Sequence, residues 1–280
     1  MIEYEKLEDS IVGFYKNEVT VKHLAESVEY SLKAGGKRIR PILFLAILEG
    51  FGLELKLAHY NIAAAIEWIH TGSLIHDDLP AMDNDDYRRG KLTNHKVYGE
   101  ALAVLSGDAL FLDPYYFIAT SGFPSVMIVN LIRELSASSG SLGMVAGQVI
   151  DMDSEGKKVP LDFLKKLHQL KTGRMLTFPF VAAGIIAGKE VDKLRKIGVT
   201  LGLAFQIRDD ILDVTADFES IGKTPGKDIL EEKLTYVSLL GLEEARQELQ
   251  KKLEEVKVGL SSLKSFNPTE VLKIVEQLEL

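Results

Sequence analysis

The sequence contains no cysteine, which excludes a disulfide framework, a thiolate nucleophile and any cysteine-ligated zinc or iron-sulfur site. Any bound metal must therefore use oxygen or imidazole ligands. Proline is also scarce, with 8 residues in 280, and aromatic residues make up only 8%. With 46% hydrophobic and 26% charged residues, the chain has the composition of an ordinary globular protein rather than of a disordered segment.

Long apolar runs are also lacking. We therefore expect no segment of the chain to be long and apolar enough to span a bilayer. The N-terminal residues Met1 to Lys6 are charged where a signal peptide would need an apolar core. The sequence therefore predicts a cytoplasmic location and no stable membrane insertion. Excess positive charge is missing too: the formal net charge is -8, which disfavours broad nucleic-acid binding, because that binding needs a cationic surface.

Alternating strand patterns are nearly absent, whereas apolar residues recur at steps of three and four, as between Leu194 and Ile211. Breaks rich in glycine and proline divide the chain into roughly ten helical segments. No break is long or polar enough for an interdomain linker. The prediction is one all-α domain over residues 1–280, a single large helical bundle. The tail from Leu242 to Leu280, rich in Glu and Lys, is predicted to form solvated helices.

Two acidic groups stand at the ends of apolar segments. The stretch from Leu57 to Leu79 is apolar on almost every side, which is typical of a buried helix, yet it runs into Asp77 and Asp78. The same conflict recurs from Phe205 to Asp213. Buried charges are costly unless a cation or a partner neutralises them, so both stretches indicate a shared function.

The second acidic group fits a metal site. On a helix, Asp209 and Asp213 lie about 40° apart around the axis, with Asp210 beside them. A solvated acidic face is the simpler interpretation, but the neighbouring Ile207 and Ile211 are apolar. Carboxylates favour the hard ions Mg²⁺ or Mn²⁺, shared with the phosphate oxygens of a substrate.

The first acidic group is spaced differently. Asp77 and Asp83 would point about 120° apart on an unbroken helix, but Pro80 lies between them. Proline can end or distort the helix here and allow Asp83 to return towards Asp77. Asp85 and Asp86 are alternatives to Asp83.

Basic residues complete the pattern. Arg88 and Arg89 follow the first acidic group, and guanidinium groups suit diphosphate oxygens. Lys37 and Arg40 follow Gly35-Gly36 at the entry to a helix. A surface ion-pair belt would explain either pair alone, but both pairs beside acidic groups favour a site for cations and anions.

These motifs resemble those of the trans-isoprenyl diphosphate synthases, the farnesyl and geranylgeranyl diphosphate synthases and their longer-product relatives. The similarity runs from about Ser31 to Leu242, and five motifs occur in order. They are GGKRIRP (Gly35 to Pro41), SLIHDDLPAMDNDDYRRGKLTNHKVYGE (Ser73 to Glu100), KTG (Lys171 to Gly173), FQIRDDILDV (Phe205 to Val214) and the stretch Gly222 to Lys233.

The resemblance implies an isoprenoid-synthase fold with a central cavity, and a Mg²⁺-assisted condensation of an allylic diphosphate with isopentenyl diphosphate. It implies three Mg²⁺ ions, with Mn²⁺ as a possible substitute, held by Asp77, Asp83 and Asp209, with Asp78, Asp210 and Asp213 nearby. The implied allylic-diphosphate residues are Arg88, Lys171, Lys223 and Lys233. The implied isopentenyl-diphosphate residues are Lys37, Arg40, His70 and Arg89. Thr172 and Gln206 would steady the carbocation, and Lys171, Thr172, Gln206 and Arg88 form the implied catalytic group.

Product length is expected to depend on residues before Asp77. In the family an aromatic residue at the place of Gly72 or Ser73 is associated with a fifteen-carbon product, so these small residues favour geranylgeranyl diphosphate. Trp68 and Ile69, one turn earlier, are candidates for a floor that stops the chain at farnesyl diphosphate. The resemblance also implies a homodimer, with Ala101 to Ile118 as a candidate interface.

Three other functions are open to test. His76-Asp77, with His70 and His95, loosely resembles a metal-dependent HD-type phosphohydrolase, but that interpretation leaves the basic pairs unused. Class I terpene cyclases share the first acidic motif and usually have a different second one. A regulatory subunit that has lost its chemistry would usually lack some of these acidic residues.

Overall fold

The computed structural model describes residues 2–154, 157, 159–215 and 235–280. The chain divides into two compact units, the first being Met1–Leu45 with Leu55–Ile132 and the second Ala46–Glu54 with Arg133–Leu280. The elements of the first unit are α1 (Tyr4–Asn17), α2 (Lys22–Leu32), α4 (Leu57–Asp77), β1 (Tyr87–Arg88), β2 (Lys91–Leu92), α5 (Asn94–Tyr98) and α6 (Glu100–Ala119). Helices α3 (Ile39–Gly50) and α7 (Ser125–Ser139) contribute residues to both units.

The second unit is built from helices and one π-helical turn. Its elements are α8 (Met144–Ser154), α9 (Leu161–His168), the π turn (Gln169–Gly173), α10 (Arg174–Ala187), α11 (Val191–Thr215), α12 (Tyr236–Leu240), α13 (Leu242–Ser261) and α14 (Thr269–Glu276). The predicted all-α class is therefore confirmed. The prediction of one domain over residues 1–280 stays a prediction.

Helix α4 is the centre of the first unit. Every residue from Ile62 to Ile69 is buried, as the apolar sequence predicts. Helices α1 and α6 pack against it. Trp68 is fully buried, and its indole N–H donates to the carbonyl oxygen of Ile11 at 2.7 Å. The helix that carries the first acidic motif is thus buried between α1 and α6.

Helix α6 differs from expectation. It is long and apolar enough to cross a membrane by length and composition, so the expectation that no run reaches that length is wrong here. Core helices pass the same test, and α6 packs against α4. A bilayer would have to take in both Asp108 and Asp113, and Asp113 accepts a hydrogen bond from the Tyr15 hydroxyl at 2.8 Å. The absence of stable membrane insertion stays a prediction.

Helix α11 is the centre of the second unit and packs against α10 and α13. The expectation of solvated tail helices is wrong for α13, because one side of that helix is buried. The buried residues of α13 are Ala245, Leu249, Leu253, Val256 and Leu260. Their spacing of three and four is that of an amphipathic helix, so Glu and Lys occupy only its outer side.

Candidate active site

The first acidic motif begins where α4 ends. Helix α4 ends at Asp77, with Asp78 as its C-cap, and a turn follows in which the amide N–H of Met82 donates to the Leu79 carbonyl at 2.9 Å. The amide N–H of Asp83 then donates to the Asp77 carbonyl, also at 2.9 Å. The backbone therefore returns after Pro80 and brings Asp83 next to Asp77, as the sequence predicts.

The charges of this motif are unfavourable without a cation. Acidic side chains at the C-terminus of a helix meet the negative end of its dipole. Asp78 is buried and accepts a hydrogen bond from Arg88 Nε at 2.6 Å. Burial raises the pKa of Asp78 above its ordinary value, Arg88 opposes this, and Asp85 and Asp83 add to it. Because Arg88 already holds Asp78, the half-buried Asp77 and the exposed Asp83 are the better candidates for direct metal ligands.

A small hairpin positions the two arginines of the motif. Strands β1 and β2 pair with Tyr87 opposite Leu92 and Arg88 opposite Lys91. The two turn residues, Arg89 and Gly90, have φ values of 53° and 75°, as a type I′ turn requires. The guanidinium of Arg89 donates to the carbonyl oxygen of Gly35. Arg89 thus connects the hairpin to the loop that precedes Lys37.

We use the name cation group for the four basic residues of the first unit that the resemblance assigns to the second substrate: Lys37, Arg40, His70 and Arg89. Three of them, Arg40, His70 and Arg89, interact electrostatically with one another. Arg40 Nε is buried and has no hydrogen-bond partner. Burial lowers the pKa of Arg40 to about 10, and the nearby charge of Arg89 contributes. Burial, followed by the charges of Arg40 and Arg89, holds the pKa of His70 well below its ordinary value, so its imidazole is neutral at pH 7. An anion that bound here would relieve this accumulation of positive charge.

The second acidic motif lies on the last turns of α11. Asp209 is exposed and Asp213 is half-buried one turn later, in a continuous helix. Asp210 is buried, and its carboxylate accepts hydrogen bonds from the Tyr236 amide at 2.7 Å and from Gln206 Nε2 at 3.3 Å. Asp210 therefore holds the start of α12, which argues against direct metal coordination by this residue.

Lys171 and Thr172 lie on the π turn, a helix distortion that is frequent at functional sites. Lys171 forms an ion pair with Asp151 of α8. Gly147, one turn before Asp151, faces the same turn, and a Cβ there would collide with the backbone of Lys171. The sequence analysis missed this pairing, although a small residue four positions before an acidic one on α8 was a usable signal.

Two predicted site residues, Lys223 and Lys233, lie outside the described residues. Within the described ranges, no three histidine, aspartate or glutamate side chains gather closely enough to hold a metal ion. That finding fits Mg²⁺, which proteins usually bind through one or two carboxylates together with substrate phosphates. It also disfavours the HD-type site, because His70, His76 and His95 do not form such a group.

The candidate chain-length residues point in different directions. A Cβ on Gly72 would lie 3.0 Å from Leu110 Cβ, so Gly72 faces α6. Trp68 lies between α1 and α6, with edge-to-face contacts to Tyr15 and Phe117 at ring-centroid distances of 5.2 Å and 4.5 Å, and Ile69 is buried. Ser73 is half-buried and lies one turn before Asp77 on the same side of α4. Ser73 is therefore the better candidate for contact with a growing chain.

Comparison with known proteins gives consistent matches over most of the chain. The family model described as polyprenyl synthetase matches residues 21–267. The chain is 50% identical over 249 residues to a farnesyl diphosphate synthase of Micrococcus luteus, covering 87% of this chain and 84% of that one. It is 46% identical over 256 residues to a chloroplastic geranylgeranyl pyrophosphate synthase of Catharanthus roseus, covering 89% and 71%. Sequence identity thus does not separate the two product lengths.

A solved structure matches nearly the whole chain. The geranyltransferase of Helicobacter pylori, complexed with magnesium and isoprenyl diphosphate, is 35% identical with a TM-score of 0.81. The match covers 98% of this chain and 93% of that one.

Proposed function

The chain belongs to the polyprenyl synthetase family, and from that premise we propose that it joins isopentenyl diphosphate to an allylic diphosphate with the help of Mg²⁺. The reaction is a short-chain prenyl condensation, with farnesyl or geranylgeranyl diphosphate as product. The observation that carries the proposal is that each unit holds an acidic motif together with an ordered basic side chain. In the first unit Arg88 pairs with Asp78 of the motif that contains Asp77 and Asp83. In the second unit, which carries Asp209 and Asp213, Lys171 pairs with Asp151.

The first step is departure of the allylic diphosphate. We assign Asp77, Asp83 and Asp209 to hold three Mg²⁺ ions, for which Mn²⁺ can substitute, and Asp213 to assist. Bound Mg²⁺ neutralises charge on the leaving diphosphate and so lowers the barrier to breaking the carbon–oxygen bond. Arg88 and Lys171, together with Lys223 and Lys233, hold the diphosphate oxygens. The ion pairs that Arg88 and Lys171 make with Asp78 and Asp151 keep both cations ordered before the diphosphate arrives.

The cation group binds the second substrate. Lys37, Arg40 and Arg89 supply charge for the diphosphate of isopentenyl diphosphate, and the neutral His70 supplies a hydrogen-bond donor. Arg40 Nε, which lacks a partner, gains an acceptor when the diphosphate binds. This gain favours a ligand with several oxygens over a neutral one.

The oxygens of Thr172 and Gln206 steady the positive charge on the allylic fragment. Both side chains are half-buried in the second unit, where partial burial limits their contact with water. The double bond of isopentenyl diphosphate attacks the cation, and a proton then leaves the product cation. The released diphosphate is our candidate acceptor for that proton; a side chain whose removal stopped proton loss alone would contradict this assignment.

Product analysis tests the proposed function. The purified chain is incubated with Mg²⁺, isopentenyl diphosphate and dimethylallyl, geranyl or farnesyl diphosphate, and products are identified by mass after dephosphorylation. We expect each accepted allylic substrate to grow by five-carbon units. Phosphate release without chain growth would favour a hydrolase, and cyclic products without isopentenyl diphosphate would favour a terpene cyclase. Inactivity of the chain alone would favour a regulatory subunit.

Ser73→Phe is expected to shorten the product. The ring would occupy space one turn before Asp77, so we expect geranylgeranyl diphosphate to be replaced by farnesyl or geranyl diphosphate. Product ratios from the same assay measure the effect. Gly72→Ala is the comparison, because its methyl group meets α6 and should leave the product ratio unchanged; an unchanged ratio for Ser73→Phe would place the stop elsewhere. The sequence predicts that Gly72→Phe also shortens the product, but the structure indicates that its ring would overpack against Leu110 of α6.

We also propose a homodimer in the cytoplasm, with α6 as the interface. Its side chains Leu105, Leu112 and Tyr116 are exposed and apolar. We expect Leu112→Glu to lower the sedimentation coefficient from that of a dimer to that of a monomer, because it places charge in an apolar contact. A wild-type monomer at micromolar concentration would contradict the proposal.

A further inference from the structure

Arg38 lies in the basic motif between Lys37 and Arg40, but its guanidinium is bonded to other groups of the protein instead of being available to a ligand. Its guanidinium donates to both carboxylate oxygens of Glu8, at 2.9 Å and 3.2 Å, and to Glu67 Oε1 at 2.9 Å. It also donates to the Leu32 carbonyl at 2.6 Å. Arg38 is 7% exposed and Glu67 only 2%. Arg38, Glu8 and Glu67 therefore form a triad that joins α1, α4 and the loop after α2, with Arg38 and Glu67 buried and Glu8 about half exposed.

The triad carries more negative than positive charge. Two carboxylates, those of Glu8 and Glu67, surround one guanidinium, so one negative charge is left over. Burial lowers the pKa of Arg38, and the hydrogen bonds and charges of both glutamates more than reverse that effect. Arg38 is thus firmly protonated, and the surplus charge acts on its surroundings.

That surplus charge acts on the cation group. Glu67 is the nearby anion that opposes the lowering of the pKa of Arg40, and it is the strongest counterweight for Arg89 as well. The contacts place Arg89 beside the triad: the Gly35 carbonyl accepts from Arg89 and also, at 3.3 Å, from Arg38 Nη1, the nitrogen that donates to Glu67. The positive charge that a diphosphate would meet is therefore partly cancelled in advance.

We propose that Glu67 is an internal counter-charge that stabilises the ligand-free cation group and limits its affinity for a diphosphate. Glu67 does not touch the ligand in this role; it sets the electrostatic potential that the ligand meets. The inference rests on the proposed function in taking isopentenyl diphosphate as the ligand of the cation group. It predicts that affinity and stability respond to Glu67 in opposite directions.

Glu67→Gln isolates the charge, because the amide keeps the shape and its oxygen can still accept from Arg38. Without the negative charge, the cations attract a diphosphate more strongly, and we expect the Kd for isopentenyl diphosphate to fall about tenfold. The melting temperature of the unliganded variant should fall, because buried cations lose their counter-charge. Damage to the fold alone would weaken binding and stability together.

Calorimetric titration of isopentenyl diphosphate in EDTA measures the effect, since metal-dependent binding at the acidic motifs is then absent. Glu8→Gln is the second variant. Because the Glu8 side chain is 49% exposed, the fold should tolerate this substitution more easily than Glu67→Gln. Solvent also screens the charge of Glu8, so we expect a smaller decrease in Kd, of about threefold. Glu5→Gln, on the exposed side of α1, changes the net charge equally and should leave Kd unchanged.

Tighter binding by Glu8→Gln, and by Glu67→Gln if it folds, supports the inference. Equal or weaker binding by folded Glu67→Gln, or by Glu8→Gln where Glu67→Gln does not fold, overturns it and leaves the proposed function intact, provided that the wild type binds normally. A wild type that elongates no prenyl chain and binds no isopentenyl diphosphate overturns both.

Discussion

Asp209→Asn is expected to lower kcat by about 10³-fold, because on the proposed assignment it removes a charged metal ligand while keeping the size of the side chain. Asparagine cannot neutralise Mg²⁺, so the ion is held weakly and the departing diphosphate keeps more of its charge. Asp209 is exposed at the end of α11, and the fold should tolerate the change. Steady-state kinetics with geranyl and isopentenyl diphosphates over a range of Mg²⁺ concentrations measures the loss, which excess Mg²⁺ should partly restore.

Asp192→Asn is the matched control, since Asp192 is an exposed aspartate in the first turn of the same helix. The Asp192→Asn variant loses at most the favourable interaction of this carboxylate with the helix dipole. Its kcat should therefore stay within about twofold of the wild-type value. A fall in kcat of less than about tenfold for Asp209→Asn, with unchanged Mg²⁺ dependence, would contradict the role of Asp209 as a metal ligand.

Gly147→Ala is expected to damage both stability and catalysis. Its methyl group would meet the backbone of Lys171 rather than the end of a flexible side chain, so α8 and the π turn must separate. We expect a loss of about 3 kcal/mol in the free energy of unfolding, at the upper end for overpacking. Displacement of Lys171 and Thr172 should lower kcat/KM for the allylic substrate by about 10²-fold. Urea unfolding and kinetics under conditions where the variant is folded separate the two effects.

Gly13→Ala provides the comparison. A Cβ there meets only Asn17 Nδ2 at 3.8 Å, an ordinary contact within α1. Because alanine favours a helix over glycine, this change should stabilise the protein by up to about 1 kcal/mol and leave kcat/KM unaltered. Wild-type kinetics for folded Gly147→Ala would show that the close approach of α8 does not position Lys171.

The sequence was informative where local pattern determines structure. Apolar residues at helical spacing predict the buried part of α4, and Pro80 predicts the turn that returns Asp83 to Asp77. The second motif follows equally directly, because residues four apart on α11 share one side of the helix. These features depend on neighbours in the chain, which is why single-sequence reasoning finds them.

Tertiary contacts account for what the sequence did not indicate. Strands of two residues are too short to show alternation, so the hairpin bearing Arg88 and Arg89 was invisible. The close approach of α8 to the π turn at Gly147 is a contact between residues distant in the chain, which spacing does not reveal. The Glu residues of the Arg38 triad come from two different helices. The direction of Gly72 is likewise known only once α6 is placed beside α4.

A fluorinated substrate tests the central claim, that the allylic diphosphate leaves before the new bond forms. Fluorine in place of the C2 hydrogen of geranyl diphosphate destabilises the allylic cation with little change in size. In single-turnover experiments with saturating isopentenyl diphosphate and Mg²⁺, we expect condensation to slow by about 10²-fold or more, with substrate affinity nearly unchanged. Equal rates for the two substrates would show that no cation forms in the slow chemical step, and would contradict metal-assisted ionisation as the source of catalysis.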